Sequence, residues 1–199
     1  MLPTPASVRP VLLLIISAII FAQPATAQHK RPSQSAVQTG FGAETPIKRP
    51  VKVPRDVLDQ LLKENSEEIV RCEEISGRHV APSRYFVASS IDINGDGLSE
   101  LVIQADEYCL QGAHNTPFWI FTRIGQRLEP GYELVLKTQT DWLDIRKTST
   151  NDYRDIAAIG HTAIELFTTI LKFDGQKYQP RISTIENVTT KRVSRVACN

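Results

Sequence analysis

The run Asp92-Ile93-Asn94-Gly95-Asp96-Gly97-Leu98-Ser99-Glu100 constrains this chain more than any other segment. Oxygen-bearing side chains occupy its first, third, fifth and ninth positions, and a glycine occupies the sixth. The alternation aims Asp92, Asn94 and Asp96 at one centre. Gly97 permits the sharp turn that brings the carbonyl of Leu98 into the shell, and Glu100 closes it. An all-oxygen, carboxylate-rich set of this kind suits Ca²⁺, a hard cation that takes six to eight oxygens. The twelfth position is Ile103, so the bidentate glutamate that ends an EF-hand loop is missing. The flanks, Tyr85 to Ile91 and Leu101 to Ala105, are rich in β-branched and aromatic residues. The loop is therefore expected at the tip of a strand–loop–strand hairpin.

A strand-flanked loop with acidic ligands ending at position nine resembles the calcium loops of FG-GAP repeats, as in integrin-type propellers. It also resembles the DxNGDGxxE segments of small secreted bacterial proteins of largely unassigned function. The likeness covers the span from Tyr85 to Ala105. A weaker one extends to the Tyr153-Arg154-Asp155 step and the later strand ending in Asp174-Gly175. One copy of the loop is present, whereas a propeller needs about four blades or more. Phe41-Gly42-Ala43 lies too far upstream to belong to the motif, so a propeller is not expected.

Residues 1 to 27 read as a secretory signal peptide. Arg9 supplies the positive start, Val11 to Ala22 form an uncharged apolar run, and Ala25-Thr26-Ala27 offers small residues for cleavage before Gln28. The apolar run is shorter than the roughly twenty residues that span a bilayer, so no transmembrane anchor is expected after cleavage. A secreted or periplasmic location implies an oxidising compartment, where cysteines pair. The three cysteines are Cys72, Cys109 and Cys198. A Cys72–Cys109 bridge would pin a helix onto the calcium hairpin. Cys198, the penultimate residue, is the alternative partner. A zinc site from Cys109, His114 and His79 lacks regular ligand spacing.

Residues 28 to 54 read as a flexible arm rich in Pro, Gln, Ser and Thr with scattered basic residues, leaving 55 to 199 as a single calcium-binding domain. Leu58, Leu62, Ile69 and Cys72 recur at helical spacing between Pro54 and Gly77, which predicts one helix over Arg55 to Ile75 with the Glu67-Glu68 and Glu73-Glu74 pairs in water. Strand-like runs follow at Pro117 to Thr122, Tyr132 to Lys137 and Ile164 to Phe173. A short final strand is expected beyond the Asp174-Gly175 turn, near Tyr178. Asp141 to Gly160 reads as polar and irregular, with Asn151 to Ile156 a loop running into a short strand. The expected class is α+β, with the N-terminal helix packed on a predominantly antiparallel sheet.

The chain holds no GxSxG elbow, HExxH, P-loop or dinucleotide fingerprint. Its formal net charge of +1 gives no footing for nucleic-acid binding. Asp152, Arg154, Asp155 and His161 are the polar residues that could gather for acid–base work, although such a set more often holds structure together. Three readings follow. The first is an exported, calcium-stabilised binding or accessory module without catalysis, acting on a protein or envelope partner. The second is an inhibitor or immunity protein of an envelope enzyme. The third is a calcium-dependent hydrolase using Asp152, Arg154 and His161.

Overall fold

The computed structural model describes residues 37–125 and 131–198. The expected signal peptide and residues 28–36 of the arm lie outside them. The elements run β1 (Gly40–Gly42), α1 (Arg55–Glu64), α2 (Ser66–Ser76), β2 (Phe86–Ile91), β3 (Glu100–Ala105), β4 (Thr116–Ile124), β5 (Gly131–Thr140), β6 (Trp142–Thr150), β7 (Tyr153–His161), β8 (Glu165–Phe173), β9 (Tyr178–Asn187) and β10 (Val193–Val196). They form a four-stranded sheet in the order β2-β3-β4-β5 and a six-stranded sheet in the order β1-β6-β7-β8-β9-β10. The strand pairings are antiparallel. The expected α+β class and its antiparallel bias hold, with two helices in place of one.

Side-chain alternation along the strands makes three layers. Val102, Phe118 and Ile120 of the four-stranded sheet join Leu143, Ile145, Ile156 and Leu171 of the six-stranded sheet in one core. Their neighbours Leu101, Ile103, Ala105, Trp119 and Phe121 point the other way and join Val57, Leu61 and Cys72 of the helices in a second core. All six residues of β3 are buried as a result. A strand covered on both faces reads as a continuous apolar run, as Leu101-Val102-Ile103 does.

The predicted helix over Arg55 to Ile75 breaks at Asn65. That residue leaves helical geometry (φ −117°, ψ 23°), and its side-chain amide donates to the carbonyl of Leu61 at 2.7 Å. An asparagine that satisfies a carbonyl with its own amide competes with the next helical turn. The buried face also differs from the expected one: Val57 and Leu61 are fully covered, while Leu58, Leu62 and Ile69 are half-buried. Gly77 ends α2 in the left-handed conformation, φ 64°, as its position predicts. Glu73 is half-buried and not a wet-face residue. It accepts from the Tyr85 hydroxyl at 2.7 Å and meets His79 Nδ1 at 2.8 Å. Those contacts hold its carboxyl below the usual range, and burial together with Glu73 pushes Tyr85 up to about 12.

Cys72 of α2 is bonded to Cys109, which follows β3 in a short 3-10 turn, and Cys198 is free. The bridge ties the helical layer to the exit of the hairpin, and its presence places the chain in an oxidising, non-cytosolic environment. Among the described residues no helix is long and apolar enough to cross a membrane.

Two segments expected to be irregular are ordered. The arm joins the fold at β1, where Phe41 is fully buried and pairs with Leu143 of β6. Gly40 and Gly42 flank it because the Trp142 ring lies across them: a Cβ on either would come within 2.4 or 2.6 Å of the indole. Ile47 and Val53 are buried too, and Val51 N–H donates to Ala88 O at 2.9 Å along the outer edge of β2. The polar stretch Asp141 to Gly160 is a hairpin of β6 and β7. Its turn residues Asn151 and Asp152 both take positive φ, 49° and 67°, as a type I′ turn requires. The strand after Asp174-Gly175 is long, not short, and is followed by β10.

Because Phe41 is buried between the sheets, Phe41→Ala should lower unfolding free energy by about 3–5 kcal/mol in urea titration. A loss below about 0.5 kcal/mol would show that β1 is not part of the core. Reducing the Cys72–Cys109 bridge, which closes a 37-residue separation, should cost roughly 3–4 kcal/mol in the same assay.

Candidate metal centre

The loop begins where β2 and β3 part, at the paired residues Ile91 and Glu100. Its tight path needs two left-handed residues, and Gly95 (φ 78°) and Gly97 (φ 82°) supply them. The three odd-position side chains fold inward on the loop's own amides. Asp92 accepts from Gly95 N–H at 2.6 Å and from Gly97 N–H at 3.1 Å. Asn94 accepts from Asp96 N–H at 3.0 Å, and Asp96 accepts from Leu98 N–H at 2.6 Å. The Asn94 amide donates to the other oxygen of Asp96 at 3.0 Å. The side chains of the expected ligands Asp92, Asn94 and Asp96 thus close turns on the loop's own amides, and Leu98 is held by its own N–H.

Glu100 reaches the loop from the inside. It is 1% exposed and accepts from Ile93 N–H at 2.7 Å. Its second oxygen lies 3.5 Å from the hydroxyl of Thr122, which is itself 2.7 Å from that of Tyr153. Burial raises the pKa of Glu100. The Ile93 amide opposes that shift, and the charges of Asp96 and Asp92 add to it. Burial and then the Glu100 charge likewise raise the pKa of Tyr178. A buried carboxylate beside two others is the electrostatic setting that a divalent cation relieves, and the donor set is all oxygen. The residues fit Ca²⁺ in kind. Among the described residues, however, no three His, Cys, Asp or Glu side chains converge on a single point.

The loop is docked onto the six-stranded sheet. Ile93, 1% exposed, fills the core between the sheets, and its carbonyl accepts from Arg154 N–H of β7 at 3.0 Å. The Tyr178 hydroxyl donates to Arg154 O at 2.8 Å, and the Tyr153 ring stacks on Phe173 at 4.0 Å. These contacts with β7 were not visible in the sequence. The one signal was Ile93 itself, an apolar residue among ligands at an even position of the loop.

The other candidate sets are dispersed. Asp152 sits in the β6–β7 turn and is exposed, whereas His161 ends the same strand nine residues later, roughly 30 Å away in extended chain. Arg154 donates through Nε to Arg146 O at 2.6 Å and through Nη2 to Ile145 O at 2.9 Å. Asp155, 3% exposed, accepts from Thr148 and Thr150, each at 2.8 Å, with Lys172 at 3.6 Å. The acid–base cluster is thus not assembled, and Arg154 and Asp155 hold the sheet together. The zinc set is not assembled either: Cys109 is in the disulfide, His79 pairs with Glu73, and His114 faces His161.

Comparison of the chain with protein-family models, with curated proteins and with solved structures gives no match.

The raised pKa of Glu100 fixes a sign for stability in chelator. The folded state holds the proton more tightly than the unfolded chain, so this contribution is fully present below the unfolded pKa. It is lost as pH rises through the higher folded value. In EGTA at neutral pH, Glu100→Gln should therefore melt above the wild type, and its advantage should shrink as the pH falls. A variant that melts below wild type under those conditions would show that the charge is already neutralised within the protein.

Proposed function

We propose that this protein is an exported, calcium-stabilised module that binds a protein or envelope partner and does not turn over a substrate. The observation that carries the reading is the Asp92–Glu100 loop, with its three inward oxygen side chains and the buried carboxylate of Glu100 behind them. Calcium bound by Asp92, Asn94, Asp96, the Leu98 carbonyl and Glu100 would neutralise three neighbouring carboxylates. It would hold Ile93 and Glu100 where they meet β7. The ion is then a structural clamp between the hairpin tip and the second sheet. The likeness to FG-GAP calcium loops supports the same ligand assignment. Residues 1–27 serve as the leader that delivers the chain to a calcium-rich, oxidising compartment, in keeping with the Cys72–Cys109 bridge. The separation of Asp152, in the β6–β7 turn, from His161, at the far end of β7, argues against the hydrolase reading.

Extracellular calcium modules bind with dissociation constants of about 10⁻⁴–10⁻³ M. At a free concentration about ten times that constant, linkage contributes roughly 1.4 kcal/mol, equivalent to a melting shift of about 3–6 °C for a domain of this size. Asp96→Ala should abolish that rise and leave the fold intact, while Asp152→Ala should preserve it. Identical wild-type melting curves in calcium and in EGTA would refute the calcium clamp.

A further inference from the structure

Asn94 is the asparagine of this chain that a glycine follows; Asn65, Asn115, Asn151 and Asn187 precede Ser66, Thr116, Asp152 and Val188. An asparagine side chain can be attacked by the backbone nitrogen of the next residue, which closes a five-membered imide ring. The step needs that nitrogen to approach Cγ closely, and a glycine leaves the approach unobstructed. The surroundings of Gly95 are open as well: it is exposed, and a Cβ built on it meets nothing within 4 Å. Asn94 itself is half-buried, so water reaches the pair.

The second observation is what surrounds the reacting atoms. The N–H of Gly95 points at Asp92 Oδ1, 2.6 Å away, within the reach required of a general base. That N–H lies in the peptide plane, so the hydrogen bond leaves clear the face from which the nitrogen attacks. Asn94 Oδ1, where negative charge develops, accepts from Asp96 N–H at 3.0 Å, in the manner of an oxyanion donor. The Asn94 amide is turned to match, its Nδ2 donating to Asp96 Oδ2 at 3.0 Å. At Asn65 and Asn151 the side-chain amide instead donates to a main-chain carbonyl, of Leu61 and of Phe173.

We propose that Asn94-Gly95 is a self-modification site, where the folded loop converts its own asparagine to aspartate and isoaspartate. Gly95 N bonds to Asn94 Cγ as its proton passes to Asp92. The Cγ–Nδ2 bond then breaks, and the nitrogen leaves as ammonia, taking up that same proton. Water next adds to one of the two ring carbonyls. Opening at Cγ gives aspartate. Opening at the Asn94 main-chain carbonyl carbon gives isoaspartate, whose backbone runs through Cβ and Cγ. The sum is asparagine plus water to acid plus ammonia, without oxidant or co-reactant. Either product puts a new carboxyl at the third position of the loop, and the isoaspartate form lengthens the backbone there by one carbon. The inference rests on hydrogen bonds within the chain and not on the calcium reading, so it is tested in chelator.

The test is incubation of the full chain in EGTA at neutral pH, followed by proteolysis and mass spectrometry with fragment ions assigning the position. Conversion should appear as the mass gain of an amide nitrogen replaced by oxygen. Isomerisation at Asp96-Gly97 leaves the mass unchanged and is not counted. Asn94 should convert before Asn65, Asn115, Asn151 and Asn187. Asp92→Asn, with unchanged circular dichroism, should slow the conversion at least about tenfold, since a positioned base contributes roughly a hundredfold or more. The wild-type chain unfolded in urea should convert Asn94 more slowly than the folded chain, which decides the matter if the variant does not fold. A folded chain whose Asn94 lags behind the other asparagines overturns the proposal. So does a folded Asp92→Asn chain that converts as fast as wild type or faster, and so does faster conversion in urea. In each of those cases the loop would shield the amide.

Discussion

Burial of the four-stranded sheet on both faces is the constraint on which the other layers depend. Leu101, Ile103, Trp119 and Phe121 require the helices, and Val102, Phe118 and Ile120 require the second sheet. Neither partner layer suffices alone, because removing either would open one face of β3 and β4 to water. That demand explains the disulfide's location, since it joins α2 to the exit of β3 and keeps the helical layer in place. It also explains why the hairpin tip is not free to move: its Ile93 is a core residue of the inter-sheet layer.

The Asp92–Glu100 loop therefore sits at the rim of a body packed on both faces. The strand that delivers Glu100 is anchored on both faces, so the carboxylate is presented from a fixed backbone into a loop built from Asx-type turns. A buried carboxylate on a fixed strand has little room to escape its neighbours, which makes it sensitive to whatever charge enters the loop. At the far end of β7, Asp141 does the opposite work by fixing one histidine through its backbone and its ring together. One strand thus meets the loop through Arg154 near its start and ends in a histidine held by Asp141.

The elements legible in the sequence were those with dense, one-sided signals. The loop announced itself through spacing, β3 and β4 through apolar runs, and the Cys72–Cys109 bridge through compartment and position. The misreadings have physical causes. Asp141 to Gly160 looked irregular because β6 and β7 present one polar face, and because their turn is built on Asn151-Asp152 and not on a glycine pair. Residues 37 to 54 looked like a tether because their buried apolar residues, Phe41, Ile47 and Val53, are few and without period, while the glycines flanking Phe41 are there to accept Trp142. The helix was read as continuous because periodicity does not register a single Asn65 whose side-chain amide takes the Leu61 carbonyl. The contacts of Tyr153, Thr122 and Tyr178 were not legible because contacts between sheets leave no local pattern.

The pairing of β1 with β6 also bears on the order in which the molecule can be built. Phe41 leaves the ribosome roughly a hundred residues before Leu143, its partner on β6, and before Trp142, which covers the flanking glycines. Until β6 exists, the segment has no partner and must remain harmless in water. A strand written with alternating valine and isoleucine would seek any exposed sheet edge during that interval. Gly-Phe-Gly, set among threonine, lysine and proline, has little to pair with until the tryptophan arrives. The composition that disguises this strand as a tether is the one that lets it wait.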